Sequence, residues 1–452
     1  MGLTVEQQHV LDCMLTGQRG HRLICFGSAG TGKSYLIREI VKTFGNTILA
    51  APTARAATII GGSTIHKLFG IPSTQPINPD FKEHPVHRQR FPDRSCRYFG
   101  GQRKEVLQHC SWIILDEIGM VRCDHLDFIE AALRKARGSI EPFGGAKILC
   151  VGDVGQLPPV AQAKDSMILK RYNYDPPFGV FQSKSVHLDF FPMHLTKVIR
   201  QENPIEANLL NRIRTGTQTK IDIDYLNTRV QDADSQSITL TPLRRTRDRI
   251  NKEKLAKLKG TVLCFSATKT GTFKKKLPGE LPIEEHIHLK EKCRVVIKAN
   301  MTYKVRGEMQ KIVNGDTGIY LGLDNTYRMI VQRDSDNSFV YVKPKQYQDS
   351  VPKVVQEGDQ EIIIDQSRGD YVQYPVQLGY SMTIHSAQGS TLSKVHLDLP
   401  SQTFMAPGLT YTALSRIKSF KDLTLSRKLK MYDVWSDVSE SLHQQQYEFC
   451  YQ

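Results

Sequence analysis

Two clusters in this sequence have the residue types and spacing of phosphate chemistry. Gly27-Ser28-Ala29-Gly30-Thr31-Gly32-Lys33-Ser34 fits the pattern G-x-x-x-x-G-K-[ST]. Glycines at these positions let backbone N–H groups turn inward around phosphate oxygens, and a helix beginning there adds partial positive charge. Lys33 is placed to bridge β- and γ-phosphates, and Ser34 to ligate Mg²⁺. The second cluster is Asp116-Glu117, after the apolar run Trp112-Ile113-Ile114-Leu115. A carboxylate at the end of such a strand can hold Mg²⁺, and its neighbour can act as general base on a water. Either cluster alone could be an ordinary strand end; together they point to nucleoside triphosphate hydrolysis.

Four further segments carry candidate groups. Gly152-Asp153-Val154-Gly155-Gln156 places Gln156 where it could sense a γ-phosphate or orient water. Arg200 and Arg416 could neutralise transition-state charge on the phosphate, although a lone arginine is more often a surface charge. Thr383-Ile384-His385-Ser386-Ala387-Gln388-Gly389 repeats the Thr-Ile-His of Thr64-Ile65-His66.

These groups need a scaffold. Arg22–Phe26, Thr47–Ala51, Trp112–Leu115 and Lys147–Val151 read as buried strands, with amphipathic helical patterns such as Ser34–Phe44 and Leu126–Arg137 between them. Strand–helix alternation predicts a parallel sheet covered on both faces. A second α/β region starts near residue 195, with strands at Ser237–Thr241 and Val395–Leu399. Residues 293–365 instead show short strands separated by Gly, Asn and Asp turns, the pattern of a small β barrel. Residues 71–108, rich in Pro, His and Arg, read as an insertion.

The chain has 452 residues, net charge +15 and pI about 9.3, a balance that favours a polyanionic partner. Nine cysteines, none in a Cys-x-x-Cys pair, argue against a disulfide framework and a zinc site. No apolar run reaches the ~20 residues a membrane span needs, and the N-terminus lacks a signal-peptide pattern. An intracellular, soluble protein is expected, from a bacterial cytoplasm or a virus-infected host cell, with a nucleus left open. Arg244, Arg245, Arg247, Arg249, Lys252 and Lys254 form one basic cluster and Lys274, Lys275 and Lys276 another. Arg88, Arg90, Arg94 and Arg97, interleaved with Phe91, Tyr98 and Phe99, form a third. Each could be a solvated face or a strand-binding track.

Taken in order, the segments resemble the motifs of superfamily 1 helicases, and more closely those of the Pif1 family (superfamily 1B), from residue 3 to about 423. Gly62-Ser63-Thr64-Ile65-His66 resembles the family's DNA-contacting segment, and Pro142-Phe143-Gly144-Gly145 the stretch that separates it from RecD-like relatives. Leu3-Thr4-Val5-Glu6-Gln7 resembles the segment whose glutamine reads adenine, which implies ATP. The resemblance also assigns Gly389 to the ATP site and Thr53, Thr64, His66, Thr383 and His385 to the DNA strand. Such contacts position a strand without reading its sequence. It implies two RecA-like parallel-sheet domains with ATP between them, 1A over 1–70 and 109–194 and 2A over 195–300 and 371–452. A wedge subdomain 1B over 71–108 and an SH3-like barrel 2B over 301–370 complete the scheme. The implied activity is 5′→3′ translocation on single-stranded DNA, with forked or tailed duplexes as partners to unwind, and a monomer is expected in solution. Two positions depart from the family: Gly119 stands where a serine is usual, and Val154-Gly155 where aromatics are usual. Both bear on how hydrolysis is coupled to movement. The alternatives are a RecD-like or RNA-directed helicase, a nucleic-acid-binding protein switched by ATP without unwinding, and, least favoured, a small-molecule kinase.

Overall fold

The computed structural model describes residues 2–71, 76–77, 102–159, 161, 163–176, 178–186, 190–201, 203–276, 281–305, 308–357, 360–400 and 406–434. The insertion residues Arg88, Arg90, Phe91, Arg94, Arg97, Tyr98 and Phe99 lie outside them. The chain divides into two compact units. Of the described residues, one comprises those up to Ile199 with Ser350–Ser367, and the other comprises Arg200–Asp349 and those from Arg368 on.

The first unit is built on a six-stranded sheet: β1 (Arg22–Gly27), β2 (Thr47–Ala51), β3 (Ser63–Thr64), β4 (Trp112–Leu115), β5 (Ile148–Gly152) and β6 (Phe191–Leu195). The spatial order is β3-β2-β4-β5-β1-β6, with every pairing parallel. Strand side chains alternate between faces, so each strand feeds two cores. Ile24, Phe26, Ile113, Leu115, Ile148 and Cys150 join one. Leu23, Cys25, Trp112, Ile114, Leu149 and Val151 join the other, against Leu36, Ile37 and Ile40 of a helix. That helix, α2 (Lys33–Thr43), follows β1; α1 (Val5–Thr16) precedes it, started by a capping box between Thr4 and Gln7. Burial of both faces explains the uninterrupted apolar strands. The C-terminal ends of β1, β4 and β5 carry the Lys33 loop, Asp116 and Gln156, the sheet edge where α/β proteins place ligands.

The second unit has a four-stranded parallel sheet in the order Ser381–Thr383, Ile238–Thr241, Val395–Leu397, Leu423–Leu425. A five-stranded antiparallel sheet stands apart from it: Phe339–Val342, Met329–Arg333, Thr317–Leu323, Arg294–Ile297, Val376–Leu378. Its inner face packs Val295, Ile297, Tyr320, Met329, Val331, Val340 and Val342. A closed barrel was the expectation from the turn-rich pattern. Among the described residues the pairing stays open, the order ending at Phe339–Val342 on one side and at Val376–Leu378 on the other.

Candidate nucleotide and nucleic-acid site

β1 delivers the chain to Gly27, and the loop then turns through Gly30 (φ +89°) and Gly32 (φ +83°), conformations that favour glycine. A Cβ at Gly32 would lie 2.5 Å from Gln7 Nε2, so any side chain there would also displace the Gln7 amide. Lys33 Nζ lies inside the loop and donates to the carbonyls of Gly27 (2.7 Å) and Ser28 (2.9 Å). An ammonium already turned into this concavity is placed to exchange those carbonyls for phosphate oxygens. Gln7, 1% exposed, donates through Nε2 to Thr31 O (3.0 Å) and Gly32 O (3.4 Å), while its Oε1 accepts from Thr4 N (3.0 Å). Its amide thus holds the loop backbone here.

Asp116 is buried, and its carboxyl is pushed up to about 7, first by loss of hydration and then by the charge of Glu117. A cation there would reverse that cost, which fits Mg²⁺ bound through Ser34 and Asp116. Asp116 Oδ1 accepts from Glu117 N at 2.9 Å. Glu117 sits at φ +53°, ψ +45°, left-handed backbone that costs a non-glycine residue about 1 kcal/mol or more and tends to persist where function needs it. Gln156, 5% exposed, donates to Asp153 Oδ2 at 3.0 Å, and its Oε1 has no hydrogen-bond partner among the described residues. A buried acceptor of this kind can take a hydrogen bond from a water.

The two departures from the family pattern touch one another. A Cβ on Gly119 would meet Asp153 O at 2.8 Å and Val154 Cα at 3.2 Å, so the turn after Glu117 and the loop after β5 lie against each other. Pro142–Gly145 is a tight turn whose Phe143 is fully buried, edge-on to Phe190, and donates its N–H to Glu130 Oε1 at 3.2 Å.

The second unit brings Arg200 and Arg416 together although 215 positions separate Arg200 from Ser415. Arg200 donates to Ser415 O at 2.8 Å; Arg416, 2% exposed, donates to Thr412 O (2.8 Å) and Ser415 Oγ (2.6 Å). Burial and then the charge of Arg416 hold Arg200 down at about 9, the state of neighbouring cations that an anion would relieve. Gly389, at φ +76°, precedes Ser390, whose buried Oγ has no partner among the described residues.

The nucleic-acid candidates fall on matching devices. Thr64 caps the short helix Ile65–Phe69 and accepts from Lys67 N at 3.2 Å; Thr383 caps Ile384–Ala387 and accepts from Ser386 N at 3.2 Å. Each threonine ends an edge strand of a parallel sheet, and each following isoleucine is fully buried. Thr53 accepts from Ala56 N at 3.1 Å. His66 packs edge-on against His125 at 4.9 Å, and burial holds its pKa below the usual value. His385 is shifted the same way by lost hydration and by Arg244. Sequence reasoning missed His125, Asp153 and Asn251. Asn251 brackets Ser381 with two hydrogen bonds (3.0 and 2.9 Å) and ties the basic helix Arg244–Ala256 to the strand carrying Thr383. Only the Arg/Asn run after a strand hinted at it. No residue of that helix is buried, and two of its arginines are paired, Arg247 with Asp248 and Arg249 with Glu253.

The sequence model of the PIF1-like helicase family matches residues 2–219. The chain is 30% identical over 432 residues to the ATP-dependent DNA helicase PIF1 of Xenopus laevis, covering 93% of this chain and 61% of that protein. It is 28% identical over 431 residues to the ATP-dependent DNA helicase Pif1 of Bdellovibrio bacteriovorus, covering 94% and 87%. The chain therefore spans about three fifths of the length of the vertebrate relative. The crystal structure of Bacteroides sp Pif1 in complex with ADP-AlF4 superposes with a TM-score of 0.84 at 27% identity, covering 99% of this chain and 97% of that one. Phosphate loop, paired carboxylates, twin Thr-Ile-His devices and matched fold agree: this chain is similar to Pif1-family helicases over nearly its whole length.

Proposed function

We propose that the chain is an ATP-dependent DNA helicase that moves 5′→3′ along single-stranded DNA and opens forked or tailed duplexes. The observation that carries this reading is the glycine loop holding Lys33 at the same sheet edge as the desolvated Asp116 and its strained neighbour Glu117. Two of the related proteins named above are ATP-dependent DNA helicases, and the third was solved with ADP-AlF4.

In this reading the loop N–H groups and Lys33 bind the triphosphate. Ser34 and Asp116 hold Mg²⁺, which neutralises phosphate charge when bound. Glu117 takes a proton from the attacking water, and Gln156 offers that water its unused acceptor. Arg200 and Arg416 stabilise charge developing on the γ-phosphate. Thr53, Thr64 and His66 in one unit and Thr383 and His385 in the other hold the strand by phosphate and sugar, so sequence preference is weak. The domain scheme of 1A, 1B, 2A and an SH3-like 2B over 301–370 is part of this proposal.

ATPase rates measured with no nucleic acid, single-stranded DNA and single-stranded RNA test it. Strong stimulation by DNA supports the reading, and stimulation by RNA alone moves the chain to the RNA-directed alternative. ATP-dependent DNA affinity without turnover returns the switch alternative, which the adjoining arginines disfavour because a switch has little need of transition-state charge stabilisation.

A further inference from the structure

The phosphate loop is held from outside as well as shaped by its glycines. A trans peptide points its C=O and N–H in opposite directions. A carbonyl pulled outward therefore turns the next residue's N–H inward. Gly30 O accepts from Ile199 N at 2.9 Å, which turns the N–H of Thr31 the other way, where it makes only a long 3.4 Å contact to Ser28 O. Thr31 O accepts from Gln7 Nε2 at 3.0 Å, which does the same for the N–H of Gly32. Gln7 acts directly. Ile199 acts from the segment Thr196–Ile199, and that segment needs its own anchor.

Glu6 is the anchor. Its carboxylate accepts from Thr196 N (2.9 Å), Lys197 N (3.2 Å) and the Thr196 hydroxyl. The side chain of Ile199 also closes on the loop: a Cβ at Gly32 would lie 3.4 Å from Ile199 Cδ1. Adjacent residues at the start of α1 thus grip the same turn by two routes.

We propose that Glu6 is a positioning residue for the nucleotide: by fixing Thr196–Ile199 it keeps the Gly30 carbonyl outward and the phosphate-binding N–H groups preset. The inference rests on the nucleotide-site reading above, and its effect belongs to phosphate binding more than to turnover.

The test uses the whole chain, with ADP binding followed by calorimetry and ATPase kinetics beside it. Glu6→Ala is expected to weaken ADP and raise the KM for ATP roughly five- to tenfold, with kcat within about twofold. Thr196→Val, which removes one arm of the same anchor, is expected to give a smaller loss. Combined with Glu6→Ala it should add nothing further. Amide exchange at Thr196–Ile199 should quicken in Glu6→Ala without nucleotide, a change that does not depend on activity. Wild-type ADP affinity in a folded Glu6→Ala, or a loss confined to kcat, overturns the proposal. If Glu6→Ala does not fold, Thr196→Val decides alone: unchanged affinity and exchange reject it. If the wild type binds no ADP, the nucleotide reading fails first, and the amide-exchange result still shows whether Glu6 holds the segment.

Discussion

The two units carry the same short device and different charged groups. In each, an edge strand of a parallel sheet ends in a threonine that caps a short helix, with a buried isoleucine and then a histidine. Beyond that device they diverge. The first unit collects a lysine and two carboxylates, one of them starved of water; the second collects two neighbouring arginines. Shared geometry at the strand candidates and unlike chemistry at the nucleotide candidates fit the motor proposed above.

Breaking the charged half of the comparison should have the largest effects. Lys33→Ala removes the loop's only side-chain cation and is expected to cut DNA-stimulated ATPase by roughly 10³-fold or more while single-stranded DNA binding stays measurable by fluorescence anisotropy. Arg200→Ala or Arg416→Ala should lower kcat by roughly 10²–10³-fold with a much smaller change in KM, read by steady-state kinetics. Lysine at either position should rescue poorly, because an ammonium lacks the planar fork.

The shared half should respond more gently. His66→Ala and His385→Ala are each expected to raise the DNA concentration for half-maximal ATPase by roughly three- to tenfold, with similar size in the two units. A large effect from one and none from the other would show that the likeness stops at backbone geometry.

The smallest expected effect is on stability. The folded pKa of Asp116 lies above its unfolded value, so folding takes up a proton between about pH 4 and about 7. Its contribution favours the fold at the acid end of that window and is lost as pH rises through it. Thermal melting without ligand should show Asp116→Asn gaining on wild type by about 1–3 °C on going from pH 5 to pH 8. Mg²⁺ with ADP should narrow that gap at pH 8.

Much of this was legible in the sequence where chemistry is local. The glycine loop, the strand Trp112–Leu115 and the Thr-Ile-His repeat each declare themselves within a few residues, and their elements form where the apolar runs place them. What was not legible depends on distant chain. Nothing near Arg200 announces Ser415 or Arg416, which approach it only through folding of the second unit. The strand β6 escaped notice because Pro192 interrupts its pattern, which an edge position permits. Period-two strands with turns do not state whether a sheet closes, and the pairing among the described residues leaves the five-stranded sheet open. The hydrogen bond from the Gln7 amide to the loop backbone is likewise one that no side-chain pattern can reveal.

The most direct test of the central claim is unwinding of duplexes carrying a 5′ or a 3′ single-stranded tail, with and without ATP, by wild type and by Lys33→Ala. The account predicts strand separation by the wild type only with ATP and only on the 5′-tailed duplex, and none by the variant. Unwinding that proceeds without ATP, or survives loss of Lys33, would contradict it.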